Sequence, residues 1–513
     1  MDHMAGMRLN LPPNTGRSTW LPAVCALAIF ILGFAARLHG IAAKPFWMDE
    51  ITTLRRARLP FGNIVMNSLT FHQLPAYFIV TSWVLPFGHD EAWARSPAMV
   101  FGALSCVLAF GVARAAGGLA AGVAAGLLMA LAPAMVQYGQ EARSYTMLIS
   151  AILVALWGLV LLAKDPDGAV RPGWTKEGKW GAWAAYTFGT AAALNILSAA
   201  LFWFLAANLA APVLAWRRRG FWRNWLLAQA VIVALSAPWF LAILAFGEHG
   251  AMGGLNWVPP LDAARLWWVL AGTYLFQATS LITVRVFHPG LPGIGGLVGV
   301  LVLGGVFALR RHGPVLMVLA VAVLVLPVCL LGISIVTPVL MPRYLLWSAA
   351  PFCICAGLGM TLLPRRTHGV AVAVLGLLLL VNLWPYYQDE TKPRWDLAGQ
   401  ELRAGMQPGD LVLVDDPQAV SMMNIYLRRQ KAPLPAPDWT ESLTKAEAAL
   451  SAGRRVWAVQ GLVGQADHES QAQFLTRIAG LGAPALTEHA GLDIMLLRFD
   501  PSATAGRSAD AGA

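Results

Sequence analysis

The sequence predicts a mainly α-helical, polytopic membrane protein with about eleven spanning helices, followed by a small α/β domain outside the membrane. Three observations predict it. Of 513 residues, 57% are hydrophobic and only 12% are charged, whereas a soluble domain carries about 25% charged residues. Eleven apolar runs approach the roughly 20 residues that a helix needs to cross a bilayer. The charge also divides along the chain. Residues 1–385 carry +14, while residues 386–513 hold 12 Lys/Arg and 16 Asp/Glu, or −4.

The apolar runs fall at 19–38, 95–113, 118–136, 144–163, 181–198, 199–216, 224–245, 293–309, 314–333, 344–362 and 369–385. The first resembles a signal peptide, with Ala42-Ala43 behind it, but ten further spans make its cleavage irrelevant to anchoring. Residues 1–18, with Arg8 and Arg17, are placed in the cytoplasm. Alternate loops then bring Arg114, the 164–179 segment, Arg217, Arg218, Arg219 and Arg223, Arg310 and Arg311, and Arg365 and Arg366 to the same side. That is the positive-inside pattern, and it puts the C-terminal domain outside. It also accounts for the net charge of +10. There is no RNA- or DNA-binding motif, so nucleic acid is excluded as a partner.

Two further apolar stretches, 73–87 and 266–284, would break the charge pattern if either were counted alone as a span. They read as helices in the outer interface, where Trp267 and Trp268 suit the headgroup level. Gly118, Gly122 and Gly126 repeat every four residues, as close helix–helix approach requires. In the 386–500 domain, Asp410 to Asp415, Arg455 to Gln460 and Asp493 to Phe499 read as strands. Ala419 to Arg429 and Glu441 to Ala452 read as helices, and 501–513 as a disordered tail. The five cysteines all lie in apolar runs, and none lies in the C-terminal domain, so no disulfide framework is implied.

Chemistry concentrates at the outer ends of the spans. Acids at membrane depth or its edge are costly to desolvate and are functional candidates. Asp49 and Glu50, in Phe46-Trp47-Met48-Asp49-Glu50, read either as a proton acceptor with its neighbour or as a carboxylate pair at a helix N-terminus. Glu141, Arg143 and Tyr145 lie within five residues between spans three and four. They read either as an acid beside a phosphate-binding guanidinium or as a surface arrangement capping the fourth span. Arg343 and Tyr344 start the tenth span, where Arg343 holds a lipid phosphate or snorkels. His72 reads as an acid/base or substrate-bonding group or as a structural turn residue. No HExxH, P-loop, Cys-rich zinc pattern or GxSxG elbow is present.

In this order and topology, Trp47-Met48-Asp49-Glu50, His72 with Pro75 and Tyr77, Tyr138 to Tyr145 and Arg343-Tyr344 resemble bacterial polytopic glycosyltransferases of the GT-C class. They are similar in particular to glycosyltransferase family 39, the protein O-mannosyltransferases and the lipid A aminoarabinose transferase. Asn256-Trp257-Val258-Pro259-Pro260, Trp395 and Pro408-Gly409-Asp410 also resemble that branch.

The resemblance implies a bacterial inner-membrane enzyme that takes a sugar from a polyprenyl-phosphate carrier. It would pass the sugar, with inversion, to a hydroxyl of an envelope lipid, glycan or protein. It implies Asp49 and Glu141 as catalytic carboxylates, Arg143 and Arg343 on the donor phosphate, and Glu50, His72, Tyr145 and Tyr344 as substrate contacts. No cofactor is certain; a divalent metal on Asp49 and Glu141 is an option. The motif around His72 has one proline where many relatives have two. Leu194 to Ser198 lacks the aromatic and His residues expected there. Two other functions compete: a lipid-linked sugar transporter and a non-catalytic envelope assembly protein. Acids at the ends of spans and the absence of an internal repeat disfavour transport.

Overall fold

The computed structural model describes residues 20–88, 90–164, 176–216, 218, 220–247, 258, 260–287, 291–428, 437–461 and 471–501. Several expectations lie outside them: the 1–18 segment, residues 165–175, Arg217 and Arg219, Glu248, Asn256, Trp257, Pro259 and the tail from 502.

Every expected span coincides with helix. In chain order these are α1 (Trp20–Leu38), α2 (Met48–Ala57), α3 (Phe61–Thr70), α4 (Ala76–Val84), α5 (Glu91–Gly117), α6 (Leu119–Leu131), α7 (Pro133–Gln137) and α8 (Tyr145–Ala163). They continue with α9 (Lys176–Ile196), α10 (Ala200–Ala215), α11 (Phe221–Phe246), α12 (Ala263–Thr273), α13 (Ile294–Leu309), α14 (Gly313–Ser334), α15 (Pro342–Gly359) and α16 (His368–Gln388). Among the described residues, seven helices are long and apolar enough to cross a membrane, or eight with one bent pair. This is a multi-pass membrane protein. Helices α10 and α13 are apolar but shorter.

Most of α5, α8 and α15 is buried, whereas α1, α11, α14 and α16 expose most of their apolar surface, as lipid-facing helices do. Helices α2 to α4 and α12 lie between spans. The 266–284 stretch is helical only to Thr273, and beyond it a Thr279–Val286 bridge forms. Trp267 is exposed as expected, but Trp268 is buried and its indole donates to Ser280 O.

The third expected span is broken. Helices α6 and α7 meet at 60°, because Ala132 precedes Pro133 and takes an extended conformation (φ −64, ψ 125). The break frees carbonyls that a straight helix would satisfy. Arg37 of α1, fully buried, donates to two of them, Met129 O at 3.1 Å and Ala130 O at 3.3 Å. The reading of the glycine repeat holds for two of its three members. A Cβ on Gly126 would meet Ile29 of α1, and one on Gly122 would meet Phe110 of α5. Gly118 instead makes the turn between α5 and α6 with φ +92, where open space surrounds it.

The loop after α7 carries the second site motif, and Gly139 within it packs on Arg37. A Cβ there would sit 2.6 Å from Arg37 Nε. Because the arginine head is pinned by three carbonyls, Gly139→Ala is expected to cost about 1–3 kcal/mol, the range for overpacking. A lowered melting temperature in detergent checks it; an unchanged one refutes the close packing.

The C-terminal domain continues with α17 (Trp395–Gly405), β1 (Leu411–Val414), α18 (Pro417–Arg428), β2 (Asp438–Thr440), α19 (Leu443–Ser451), β3 (Val456–Gly461), α20 (Gln471–Arg477), β4 (Leu486–His489) and β5 (Ile494–Phe499). The five strands form one sheet in the order β2-β1-β3-β5-β4, with β1 parallel to β2 and β3, and β5 antiparallel to β3 and β4. Alternation along the strands sorts the two faces. Val412, Val414, Trp457, Val459 and Leu496 join the core continuous with the helical unit. Leu411, Leu413, Val456, Ala458 and Met495 pack outward with Ala446 and Phe474. Asp416 accepts from Gln418 N at 2.8 Å, as a turn residue does.

Candidate active site

Asp49 and Glu50 stand in the first turn of α2, and the helix sends them opposite ways. Asp49 is 32% exposed, whereas Glu50 is fully enclosed. Consecutive residues diverge by about 100° around a helix, so one faces the cleft and the other the protein.

Glu50 was expected as a substrate contact; the structure gives it a framework position. Arg95 of α5 grips both its oxygens at 2.7 and 2.9 Å, Lys392 donates to it at 2.8 Å, and Ala142 N–H donates at 2.9 Å. The remaining Arg95 protons go to Ile41 O, Lys44 O and Pro45 O, fastening the approach to α2 onto α5. Burial opposes the charge of Glu50, but Arg95 and then Lys392 outweigh it and hold the carboxyl below the usual range.

Glu141 is also buried, which removes the reading of Glu141 and Arg143 as a surface arrangement. Its Oε1 pairs with Lys392 at 2.8 Å, and its Oε2 accepts from the Trp47 indole. Burial, then the neighbouring Glu50, pushes its pKa above the carboxylate range, with Lys392 pulling the other way. Lys392, in the loop after α16, thus joins the two motifs by bridging both acids.

Around Asp49 the field is cationic. Arg143 Nε lies 3.9 Å and Arg343 Nη1 3.7 Å from its Oδ2. Arg343 is buried over the faces of Trp47 and Tyr344, at 5.1 and 5.3 Å. Arg143 lies 5.9 Å from the Tyr145 ring, which meets Tyr138 edge-on. The structure therefore gathers Asp49, Arg143, Arg343, Tyr145 and Tyr344, with Glu141 behind them.

His72 sits in a left-handed turn (φ +55), with its ring packed so closely on Gly247 beyond α11 that a Cβ there would be 2.4 Å from Nε2. Asn195 donates to Ala191 O and Ser236 Oγ, a helix-packing position.

A divalent metal does not fit these residues. Asp49 faces two guanidiniums, and both oxygens of Glu141 are engaged by donors. No group of three or more His, Cys, Asp or Glu able to hold a metal occurs among the described residues.

Lys392 and Arg95 were not singled out by sequence reasoning. The signal was available, because in the expected topology both are basic residues on the outer side, against the positive-inside pattern. Lys392 was passed over because it falls beyond the last apolar run, in what reads as the soluble domain. That domain also reaches the site. Tyr426 of α18 accepts from Phe46 N–H at 2.6 Å and donates to Glu91 at 3.2 Å, and Arg55 of α2 donates to Ser421 at 2.7 Å.

Together these features gather acids and arginines between the ends of the helices, in a membrane-protein fold that solved structures share. ArnT from Cupriavidus metallidurans in the apo state matches over 93% of this chain and 97% of its own, with TM-score 0.58 and 15% identity. The same protein bound to undecaprenyl phosphate matches over 95% and 99%, with TM-score 0.57 and 14% identity. The Archaeoglobus fulgidus oligosaccharyltransferase in the apo form matches over 82% of this chain and 61% of its own, with TM-score 0.50 and 12% identity. At these identities the likeness is one of fold. No family model and no curated protein sequence matches the chain.

Proposed function

We propose that the protein is a membrane glycosyltransferase. It moves a sugar from a polyprenyl-phosphate carrier to a hydroxyl of an envelope lipid, polysaccharide or protein on the outer face of a bacterial inner membrane. In this reading 19–385 forms the catalytic unit of eleven spans and 386–500 an extracytoplasmic accessory domain. The observation that carries it is Asp49, a partly exposed carboxylate flanked by Arg143 and Arg343. A solved protein of the same fold binds undecaprenyl phosphate, which supports the carrier.

The chemistry follows from the charges. The donor phosphate competes for the two guanidiniums, which suit its geometry, and releases Asp49 from them. Asp49 then accepts the acceptor's hydroxyl proton as that oxygen attacks the anomeric carbon. The carbon–oxygen bond to phosphate breaks on the opposite face, its electron pair leaves with the phosphate, and the anomeric configuration inverts. The arginines stabilise the departing charge. Glu50, Lys392 and Glu141 hold the two motifs in register, while Tyr145 and Tyr344 line the arginines.

Mass spectrometry of envelope lipids and glycans tests the reading in source cells with and without the gene. One component is expected to lose the mass of a single sugar and to regain it on complementation. Unchanged envelope chemistry overturns the proposal.

A further inference from the structure

The C-terminal domain touches the segment that carries Asp49 at two points. Tyr426 of α18 is the first. Its hydroxyl accepts the Phe46 N–H at 2.6 Å, three residues before Asp49, and donates to Glu91 at the start of α5 at 3.2 Å. Ser421 is the second, and its Oγ accepts from Arg55, in the last turn of α2, at 2.7 Å. Five residues of α18, about 7.5 Å along its axis, thus reach from the entry of α2 to its far end. The base of Tyr426 is seated on α17, where a Cβ on Gly399 would lie 2.9 Å from Tyr426 Cβ.

The polar groups on the approach to α2 are taken by different elements. Arg95, one turn beyond Glu91 on α5, donates to the carbonyls of Ile41, Lys44 and Pro45. Glu50 accepts the Trp47 N–H at 3.4 Å. Between them the Phe46 N–H goes to the C-terminal domain, to a tyrosine whose own proton points at a carboxylate. A phenol that donates to an anion is a stronger acceptor in turn, because chained hydrogen bonds polarise one another. Phe46 is fully buried, and a buried donor that loses its acceptor is costly, so the segment shifts to recover one. Such a shift moves the first turn of α2, and Asp49 with it. Arg143 and Arg343 are carried by other elements, the loop before α8 and the start of α15.

We infer that Tyr426 is a positioning residue for the transfer reaction: through its hydroxyl, the C-terminal domain sets where the Asp49 carboxylate stands against the donor. The inference rests on the reading of Asp49 as the proton acceptor. It gives the 386–500 domain a task in the reaction itself. Ser421 has a lesser part, because its bond to Arg55 is open to water, which offers either group another partner.

The test uses the full-length protein carrying Tyr426→Phe, which removes the hydroxyl and keeps the ring. Ser451→Ala, at an exposed position at the end of α19, is the control. Amide hydrogen exchange in detergent, read by mass spectrometry, is expected to be about tenfold faster in residues 44–50 of Tyr426→Phe, the factor that one hydrogen bond of ordinary net strength supplies. Binding of farnesyl phosphate, the donor probe, is expected to stay within about twofold of wild type, as it does when only a transition-state contact is lost. In source cells lacking the gene, the sugar-bearing envelope component is expected to return about 10–100-fold more slowly than with wild type at equal abundance, the cost of misplacing a catalytic group by about 1 Å. Gly399→Ala presses on Tyr426 and leaves its hydroxyl, so it carries the same three expectations should Tyr426→Phe fail to fold. A tyrosine that only stabilises its own domain predicts another pattern, in which exchange rises in α18 and not in residues 44–50. The inference is overturned if residues 44–50 of Tyr426→Phe exchange as in wild type, or if the component returns at the wild-type rate. It is also overturned if farnesyl phosphate affinity falls as far as the rate does, because Tyr426 then acts on the donor site and not on Asp49. If wild type itself restores no component, the transferase reading fails first.

Discussion

Lys392→Met is expected to destabilise the protein by about 3–5 kcal/mol, the cost of breaking a buried ion pair from one side. The reason is specific to the bridge. Lys392 is buried and contacts Glu50 and Glu141 at 2.8 Å each. Methionine fills similar space but leaves two carboxylates facing each other without the cation between them. Arg95 still grips Glu50, so the damage falls on Glu141.

The pH dependence gives the claim its sign. Glu141 already has a folded-state pKa above its unfolded value, so its ionisation in the folded protein works against stability, and stability falls as pH rises through that window. Removing Lys392 takes away the attraction that favours the ionised form and leaves the repulsion of Glu50. The melting-temperature deficit relative to wild type is therefore expected to be smallest near about pH 5 and to widen towards about pH 8. Thermal unfolding in detergent across that range checks it. A deficit that shrinks as pH rises contradicts the assigned charge states.

Lys392 also shows where sequence reasoning stops. The long helices were legible because lipid demands uninterrupted apolar runs and hydrogen-bonded helix, although seven or eight of the described helices, not eleven, are long and apolar enough to span. The strands of β1, β3 and β5 were legible because both faces of the central sheet are covered, leaving continuous apolar runs. Strands β2 and β4 are the sheet edges, with polar residues such as Asp438 and Glu488, and they carry no such signal. The break before Pro133 was legible in its local cause and missed within a run of the right length.

Within the site, Asp49 and Arg143 come from segments that chain order keeps apart, and their types announce an acid and a phosphate-binding cation. What spacing could not tell is which of two adjacent acids faces the cleft. Nor could it show that Glu141 turns inward to a lysine some 250 residues later, because that pairing exists only after α16 packs beside the broken span.

Asp49→Asn is expected to lower turnover by about 10³-fold, within the usual range for removing a general base, while leaving donor binding intact or tighter. Asparagine has nearly the same shape, and the position is a third exposed, so folding is little affected. The kinetic split follows from the two arginines. In the proposed reading, Asp49, which faces Arg143 and Arg343, competes with the donor phosphate for them; the amide competes less, so the cations are freer to bind phosphate. A carboxylate with only a structural role predicts the opposite pattern, in which the neutral variant lets the arginines drift and donor affinity falls while the rate at saturation survives. Initial rates of transfer from a polyprenyl-phosphate sugar, with donor concentration varied, separate the two. Turnover above a tenth of wild type at saturating donor removes Asp49 from the proton-transfer step. A loss confined to kcat, with KM for the donor unchanged or lowered, places Asp49 at the acceptor hydroxyl and leaves the phosphate to the guanidiniums.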